Sequence, residues 1–129
     1  MKREIINQPG GTNSKAPYSP GLRWGNLLFV SGQTGSDPLT REFPDTIEAQ
    51  TRIAMERLKA MAEAGGSSMD QALKLTVFMT DIHAEFSGMN AVYREYFPNE
   101  LPTRSTVGVA ALARQGLKVE IEMICGLSD

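Results

Sequence analysis

The feature that most constrains this chain is the alternation of apolar and polar residues in its second half. Three runs, at positions 73–80, 103–109 and 117–124, place mostly apolar side chains at every second position. A period of two is typical of β-strands that lay one face on a core. Two further short strands are predicted on either side of Gly25-Asn26, a dipeptide typical of a two-residue hairpin turn. The chain is therefore expected to build a sheet.

Two other segments carry apolar residues at helical spacing instead. The first helix is predicted over positions 46–64, with Asp45 or Thr46 as its N-cap and Gly65-Gly66 at its end. Its predicted core face consists of Ile47, Ala54, Leu58 and Met61. The second is predicted to begin after Asp81 and to end before Pro98. Its apolar stripe consists of Phe86, Met89, Tyr93 and Phe97.

This order of elements predicts a single α+β domain over residues 1–129. We expect a two-layer sandwich, in which a mixed sheet of about six strands carries two helices on one face. The second sheet face is expected to be mixed, because strand parity assigns to it both charged and apolar side chains. They are Arg104, Thr106, Glu120, Glu122, Phe29, Phe78 and Ile124. Association of subunits through this face, with closed cyclic symmetry, would cover it.

Composition excludes several classes of function. A net charge of −2 and a pI of about 5.4 do not suit a protein that neutralises many phosphates, so no nucleic-acid partner is expected. The longest apolar runs, such as Leu27-Leu28-Phe29-Val30, are too short to cross a membrane. With no signal-like apolar segment at the N-terminus, a cytoplasmic location is expected. One histidine, His83, and one cysteine, Cys125, exclude the usual Cys/His zinc site, and we predict neither metal nor cofactor.

Two charged residues are the candidates for chemistry. The guanidinium of Arg104 matches a carboxylate bidentately, but it is equally suited to a salt bridge with Glu120 or Glu122. Glu120 shares strand parity with Arg104, so both would face one cleft if their strands were neighbours. A carboxylate there can orient or deprotonate water. From spacing alone, a simple surface charge or an arginine partner is the better interpretation of Glu120.

Smaller features accompany this pair. Ser31-Gly32-Gln33 is expected to end a strand, where Gly32 would let a ligand approach the backbone, although an ordinary strand end explains it as well. Tyr18 lies between two prolines and either lines a site or packs over the hairpin. Asn90 lies on the second helix, either as a partnered amide or as an exposed residue. The stretch 7–20 is rich in Gly, Pro, Ser and Asn and is expected to form an ordered loop or a mobile arm.

Taken together, the segments resemble the RidA/YjgF family of reactive-intermediate deaminases over nearly the whole chain. No single segment is specific, but their joint order and spacing are. The matching segments include Ala16–Pro20, Gly25–Gln33 and Val77–Asp81. The most telling are Asn90–Tyr93, Tyr96–Pro98, Pro102–Val107 and Val119–Glu122.

The resemblance implies a chorismate-mutase-like fold of the bacillus type and a homotrimer with clefts between subunits. It also implies hydrolysis of 2-imino acids, or of their enamine tautomers, to 2-keto acids and ammonia. Arg104 would hold the substrate carboxylate and Glu120 would position the attacking water. The cleft would be lined by Tyr18, Ser31, Gly32, Asn90 and Thr106.

Two departures from the deaminase pattern leave other functions open. Thr106 stands where that subfamily usually has cysteine, and Thr34-Gly35-Ser36 replaces a more usual apolar residue and proline before Asp37. One alternative is a hydrolase of another enamine or imine intermediate in a catabolic pathway. Another is a non-enzymatic, small-ligand-binding regulatory trimer. RNA cleavage, attached to some family members, is disfavoured by the low pI.

Overall fold

The structure is a computed structural model that describes residues 2–10 and 15–128. Within them, six strands and two α-helices follow one another, with one short 3₁₀ helix at Met69–Gln71. In chain order the elements are β1 (Glu4–Ile6), β2 (Gly21–Trp24), β3 (Leu27–Thr34), α1 (Ile47–Ala64), β4 (Ala72–Met79), α2 (Ile82–Glu95), β5 (Thr103–Gly108) and β6 (Val119–Gly126).

The strands form one mixed sheet in the order β1-β2-β3-β6-β4-β5. Every neighbouring pair is antiparallel except β4 and β5, which are parallel. Both helices pack on the same face, so the predicted two-layer α+β sandwich is confirmed. The other face, called the open face below, carries no helix. Strand β1 was not predicted, because only three residues pair and only Ile6 among them is buried.

The hairpin around Gly25-Asn26 is confirmed, with Trp24 opposite Leu27. Gly25 has a φ of 60°, which a glycine adopts without strain at the first central position of such a turn. Strand β3 continues to Thr34, past its predicted end at residues 31–33. It does so through a shift in register against β6 between Val30 and Gln33. Ser31 and Gly32 therefore form a bulge inside the strand.

Helix α1 has the predicted core face. Thr46, not Asp45, is its N-cap, and its Oγ1 accepts a hydrogen bond from the backbone N–H of Ala49 at 3.2 Å. The helix ends at Gly65, and Gly66 follows with a φ of 86°. The side chains predicted to face the core are all buried: Ile47, Ala54, Leu58 and Met61.

The core lies between the helices and the centre of the sheet. From β4 and β6 it takes Leu75, Val77, Met79, Val119, Ile121, Met123 and Cys125, and from the helices residues such as Met55 and Met89. Cys125 is a free cysteine buried among these core residues. Leu73 is 48% exposed although the alternation assigned it to the core. A register shift between Ala72 and Lys74 breaks the alternation at that point.

The strand parity predicted for Arg104 and Thr106 is wrong. Strand β5 pairs with β4, where Arg104 is opposite Leu75 and Thr106 is opposite Val77. Paired residues point to the same face, so both side chains lie on the helix face. The open face of β5 instead carries Thr103, Ser105 and Val107. The error arises because β4 separates β5 from β6, so the parities of those two strands are independent.

A buried glutamine fastens the loops at one end of the sheet. The Nε2 of Gln50 donates to the carbonyls of Pro44 at 2.9 Å and Gly116 at 3.1 Å, and its Oε1 accepts from the N–H of Lys118 at 2.8 Å. Gly35 lies directly on this residue, since a Cβ at Gly35 would come within 2.7 Å of the Cα of Gln50. The unusual Gly35 is therefore required by the close approach of β3 to α1.

No helix in the described part of the chain is long and apolar enough to cross a membrane. Likewise, residues 2–10 and 15–128 contain no cluster of three His, Cys, Asp or Glu side chains that could hold a metal ion.

We expect Gly35→Ala to lower the free energy of unfolding by about 1–3 kcal/mol, because its methyl group overlaps the backbone of Gln50. Urea unfolding of the purified protein measures this change. Gly126→Ala is the matched control, because a Cβ there meets its nearest atoms at 3.8 and 3.9 Å. Equal stability of the two variants would contradict the role assigned to Gly35.

Candidate functional site

Arg104 is held against α2 by neutral groups. Its Nη1 donates to the Oδ1 of Asn90 at 2.7 Å. The guanidinium carbon lies 4.7 Å from the centroid of the Tyr93 ring and 5.7 Å from that of Phe86. Both distances lie within the range of a cation–π interaction. The side chain is half-buried at the edge of the sheet, with Thr106 two residues along on the same face.

The spacing along α2 explains this arrangement. Phe86, Asn90 and Tyr93 stand at i, i+4 and i+7, so they form one stripe of the helix. Tyr93 is buried at the inner end of the stripe, and Phe86 is 38% exposed at the outer end. Apolar periodicity alone predicts only a core position for Phe86 and Tyr93. Their helical spacing from Asn90 is the signal by which they could have been linked to the site.

The alternative of a salt bridge between Arg104 and Glu120 or Glu122 is not observed. The ion pairs found within the described residues are Arg23–Glu4, Arg52–Glu95 and Lys118–Glu85. Asn90 is not a free surface amide either, because its oxygen is engaged by Arg104.

Glu120 lies on the open face and rests on Gly32. A Cβ added at Gly32 would come within 2.9 Å of the Cδ of Glu120 and closer still to its Oε2. The bulge in β3 therefore brings the Gly32 backbone against this carboxylate, and a larger residue would displace it. In this chain the group that lies against Gly32 is Glu120, and the approach of a ligand to the Gly32 backbone stays a prediction.

The surroundings of Glu120 disfavour its charged form. Burial raises the pKa of this carboxyl, and the neighbouring carboxylate of Glu122 raises it further. Glu122 stands two residues away on the same strand and faces the same side. A carboxyl with a raised pKa is better suited to exchange a proton near neutral pH than an ordinary surface glutamate.

Tyr18 and Ser31 line a depression of about 390 Å³ on the open face, together with Phe29, Lys74 and Glu122 among others. The Oγ of Ser31 donates to the carbonyl of Ser19 at 2.6 Å, and its N–H donates to that of Pro20 at 2.9 Å. These bonds fasten the end of the predicted arm to β3. Tyr18 is 63% exposed. Residues 11–14 of the predicted loop or arm lie outside the described residues.

The candidate residues thus form two groups rather than one. Arg104, Asn90 and Thr106 lie on the helix side of edge strand β5. Tyr18, Ser31, Gly32 and Glu120 lie at β3 and β6 on the open face. Strand β4 separates the two groups. One chain therefore does not bring Arg104 and Glu120 into a common cleft.

Comparison with known proteins identifies the family. A family model described as Endoribonuclease L-PSP matches residues 9–126. A RutC family protein from Pyrococcus horikoshii is 39% identical over 95% of this chain and 96% of its own length. The chain belongs to the RidA/YjgF family. Reactive Intermediate Deaminase A, chloroplastic, from Arabidopsis thaliana is 34% identical over 98% of this chain and 67% of that protein.

Solved structures of the RidA/YjgF family share the whole fold. The crystal structure of Escherichia coli TdcF with bound serine superimposes with a TM-score of 0.88, at 37% identity over 97% of this chain and 99% of that one. The YjgF gene product of Escherichia coli gives a TM-score of 0.87 at 34% identity, over 95% and 98% of the two chains. The resemblance found in the sequence and the fold that it implied are both confirmed.

We expect Glu122→Gln to lower the pKa of Glu120, because it removes the nearby like charge that raises it. A ¹³C NMR titration of the side-chain carboxyl carbons measures the shift directly. Glu63→Gln, a change at an exposed position of α1, is the control and should leave the Glu120 titration unchanged. An unaltered pKa in Glu122→Gln would show that burial alone accounts for the raised value.

Proposed function

We propose that this chain is a homotrimeric deaminase that hydrolyses 2-imino acids, or their enamine tautomers, to 2-keto acids and ammonia. Arg104 binds the substrate carboxylate, and Glu120 positions the attacking water and takes up its proton. The names of relatives such as the Arabidopsis Reactive Intermediate Deaminase A support the reaction class. The serine in the TdcF structure supports a small ligand that carries a carboxylate.

The observation that carries the proposal is the state of Arg104. A half-buried guanidinium without an acidic partner is costly to a fold, because burial removes water from the charge. Its bond to Asn90 and its ring contacts hold it but do not neutralise it. A ligand carboxylate is the partner that such a fork matches best.

The chemistry needs little more than placement. The carbon of a protonated imine is already electrophilic, so water can add to it directly. Glu120 accepts the proton that the water loses as the C–O bond forms. The same carboxyl returns a proton to the nitrogen of the resulting amino alcohol. The hydroxyl then passes its proton to Glu120 as the carbonyl forms and the C–N bond breaks. This proton leaves with the ammonia as ammonium, which restores the carboxylate and releases the keto acid.

A trimer would unite the two groups of site residues. The open face of a single chain exposes Phe29 and Val107 beside the charges of Lys74, Glu120 and Glu122. A face of this kind is suited to subunit contact with a polar rim. Contact between the Arg104 edge of one subunit and the open face of the next would complete a cleft. The proposal places this trimer in the cytoplasm.

We expect Arg104→Ala to lower kcat/KM at least about thirtyfold, since loss of a buried charged contact costs about 2 kcal/mol or more. The assay generates 2-iminopropanoate and 2-iminobutanoate in situ with an amino-acid oxidase and follows keto-acid release above the spontaneous rate. Arg94→Ala, on the exposed side of α2, is the control and should keep full activity. Arg104→Ala with wild-type activity on both imines would remove the assigned role.

The Glu120→Gln variant separates an enzyme from a binding protein. In the proposed deaminase it loses turnover while it still binds 2-oxobutanoate, because the Arg104 contact is intact. A regulatory trimer would show no imine hydrolysis even in the wild type. A wild-type protein that hydrolyses other enamines but neither of these imines would point to the alternative catabolic hydrolase, with Thr106 and the Thr34–Ser36 loop as the first residues to examine.

Mixed trimers test whether two subunits share each site. Arg104→Ala and Glu120→Gln chains are unfolded together in urea and refolded at equal concentration. If Arg104 and Glu120 of one cleft come from different chains, about a quarter of the clefts regain both residues, and activity rises accordingly. If both come from the same chain, no cleft regains both, and the mixture stays as inactive as its components.

A further inference from the structure

We infer that Asn90 and Tyr93 are positioning residues that hold Arg104 through neutral groups, and that this neutrality keeps its charge available to a carboxylate ligand. The inference rests on the proposed function only in taking a small carboxylate as the ligand. It assigns Asn90 a different task from lining the cleft, and it assigns Tyr93 a task beyond core packing.

The contacts of Arg104 show which parts of its guanidinium are held by the protein and which are available to a ligand. Asn90 engages Nη1 of Arg104, and the face of the Tyr93 ring lies under the guanidinium. Within the described residues, neither Nε nor Nη2 of Arg104 has a hydrogen-bond acceptor. One end and one face of the fork are thus fixed, and the Nε–Nη2 edge is left to form the paired hydrogen bonds that a carboxylate accepts.

Another arginine of the chain, Arg52, is paired with a carboxylate side chain instead of with neutral groups. Arg52 donates from Nη1 and Nη2 to the two carboxylate oxygens of Glu95, at 3.2 and 3.0 Å. That fork is occupied and its charge is compensated. An acidic residue beside Arg104 would hold the guanidinium at least as firmly, but it would compete with the ligand for the same charge. An amide oxygen and an aromatic face stabilise a cation without adding a negative charge.

Tyr93 is suited to this task by its rigid position. It is buried, and its ring packs on Phe97 with centroids 5.0 Å apart. Its hydroxyl is buried without a partner among residues 2–10 and 15–128, and burial raises its pKa to about 12, so it stays uncharged. The ring, rather than the hydroxyl, is therefore the part that Arg104 uses.

The deciding variants are Asn90→Asp and Asn90→Ala. Asn90→Asp keeps the shape and the acceptor but adds a charge, whereas Asn90→Ala removes the acceptor. The probe is 2-oxobutanoate, with affinity measured by isothermal titration calorimetry and folding by thermal unfolding. We expect Asn90→Asp to bind at least about tenfold more weakly than wild type, and Asn90→Ala about threefold to tenfold more weakly.

Which of the two variants loses more affinity for 2-oxobutanoate distinguishes a role of Asn90 in keeping the charge of Arg104 available from a purely structural role. A purely structural role predicts the reverse order, because Asn90→Asp preserves the contact that Asn90→Ala loses. Wild-type affinity in Asn90→Asp, or an affinity above that of Asn90→Ala, would overturn the inference. Failure of the wild type to bind 2-oxobutanoate would overturn it as well.

The Tyr93 variants test the second contact. Tyr93→Phe keeps the ring and should bind 2-oxobutanoate within about twofold of wild type, whereas Tyr93→Leu should bind about fivefold more weakly. In an Arg104→Ala background, Tyr93→Leu should cause no further loss, since its effect acts through Arg104. Equal losses in Tyr93→Phe and Tyr93→Leu, or an undiminished loss in the Arg104→Ala background, would contradict a positioning role.

These measurements are independent of the imine assay. A protein that hydrolyses no imine but binds 2-oxobutanoate with the expected order of variants would refute the proposed deaminase and support the positioning role of Asn90 and Tyr93. A protein that hydrolyses imines, and whose Asn90→Asp variant binds 2-oxobutanoate as tightly as the wild type, would support the deaminase and refute the positioning role.

Discussion

The parallel pairing of β5 with β4 is the contact on which the rest of the site depends. It sets Arg104 opposite Leu75, and thereby turns the guanidinium toward α2 rather than toward the open face. Because β5 is the last strand of the sheet, the side chain is half-buried there rather than enclosed. The guanidinium of an arginine in the middle of the sheet could not reach a ligand. At the edge of the sheet, the aliphatic part of the side chain packs on the core and the guanidinium contacts solvent.

Helix α2 serves both the core and the site with one amphipathic pattern. Met89 and Tyr93 pack in the core, while Phe86 and Asn90 turn toward the edge strand. Tyr93 belongs to both sets, since its ring is part of the core and also the surface on which Arg104 lies. The position of the guanidinium therefore depends on the packing of the whole helix layer. This packing fixes it more precisely than a loop would fix the position of an arginine side chain.

Sequence patterns predicted the elements that depend on local chemistry. The hairpin at Gly25-Asn26, the end of α1 at Gly65 and the core face of that helix follow from turn preference and periodicity, and the structure confirms them. The face of Arg104 was mispredicted, because alternation relates residues within one strand and not between strands whose order is unknown. Leu73 was misplaced because a register shift is invisible in the periodicity. The contact of Gly32 with Glu120 joins β3 to β6 across most of the chain, and no local pattern indicates it.

The separation of the two charged residues has a physical advantage for the proposed chemistry. An arginine and a glutamate in contact on one face would form a salt bridge. The pKa of the carboxyl would fall and the guanidinium would lose its attraction for a ligand. In this chain Glu120 instead has a raised pKa, owing to burial and to Glu122, and Arg104 keeps an uncompensated charge. In the proposed trimer, subunit contact would bring the two residues to opposite sides of one cleft. The substrate carboxylate would then bind the guanidinium, which would leave Glu120 free to act on water.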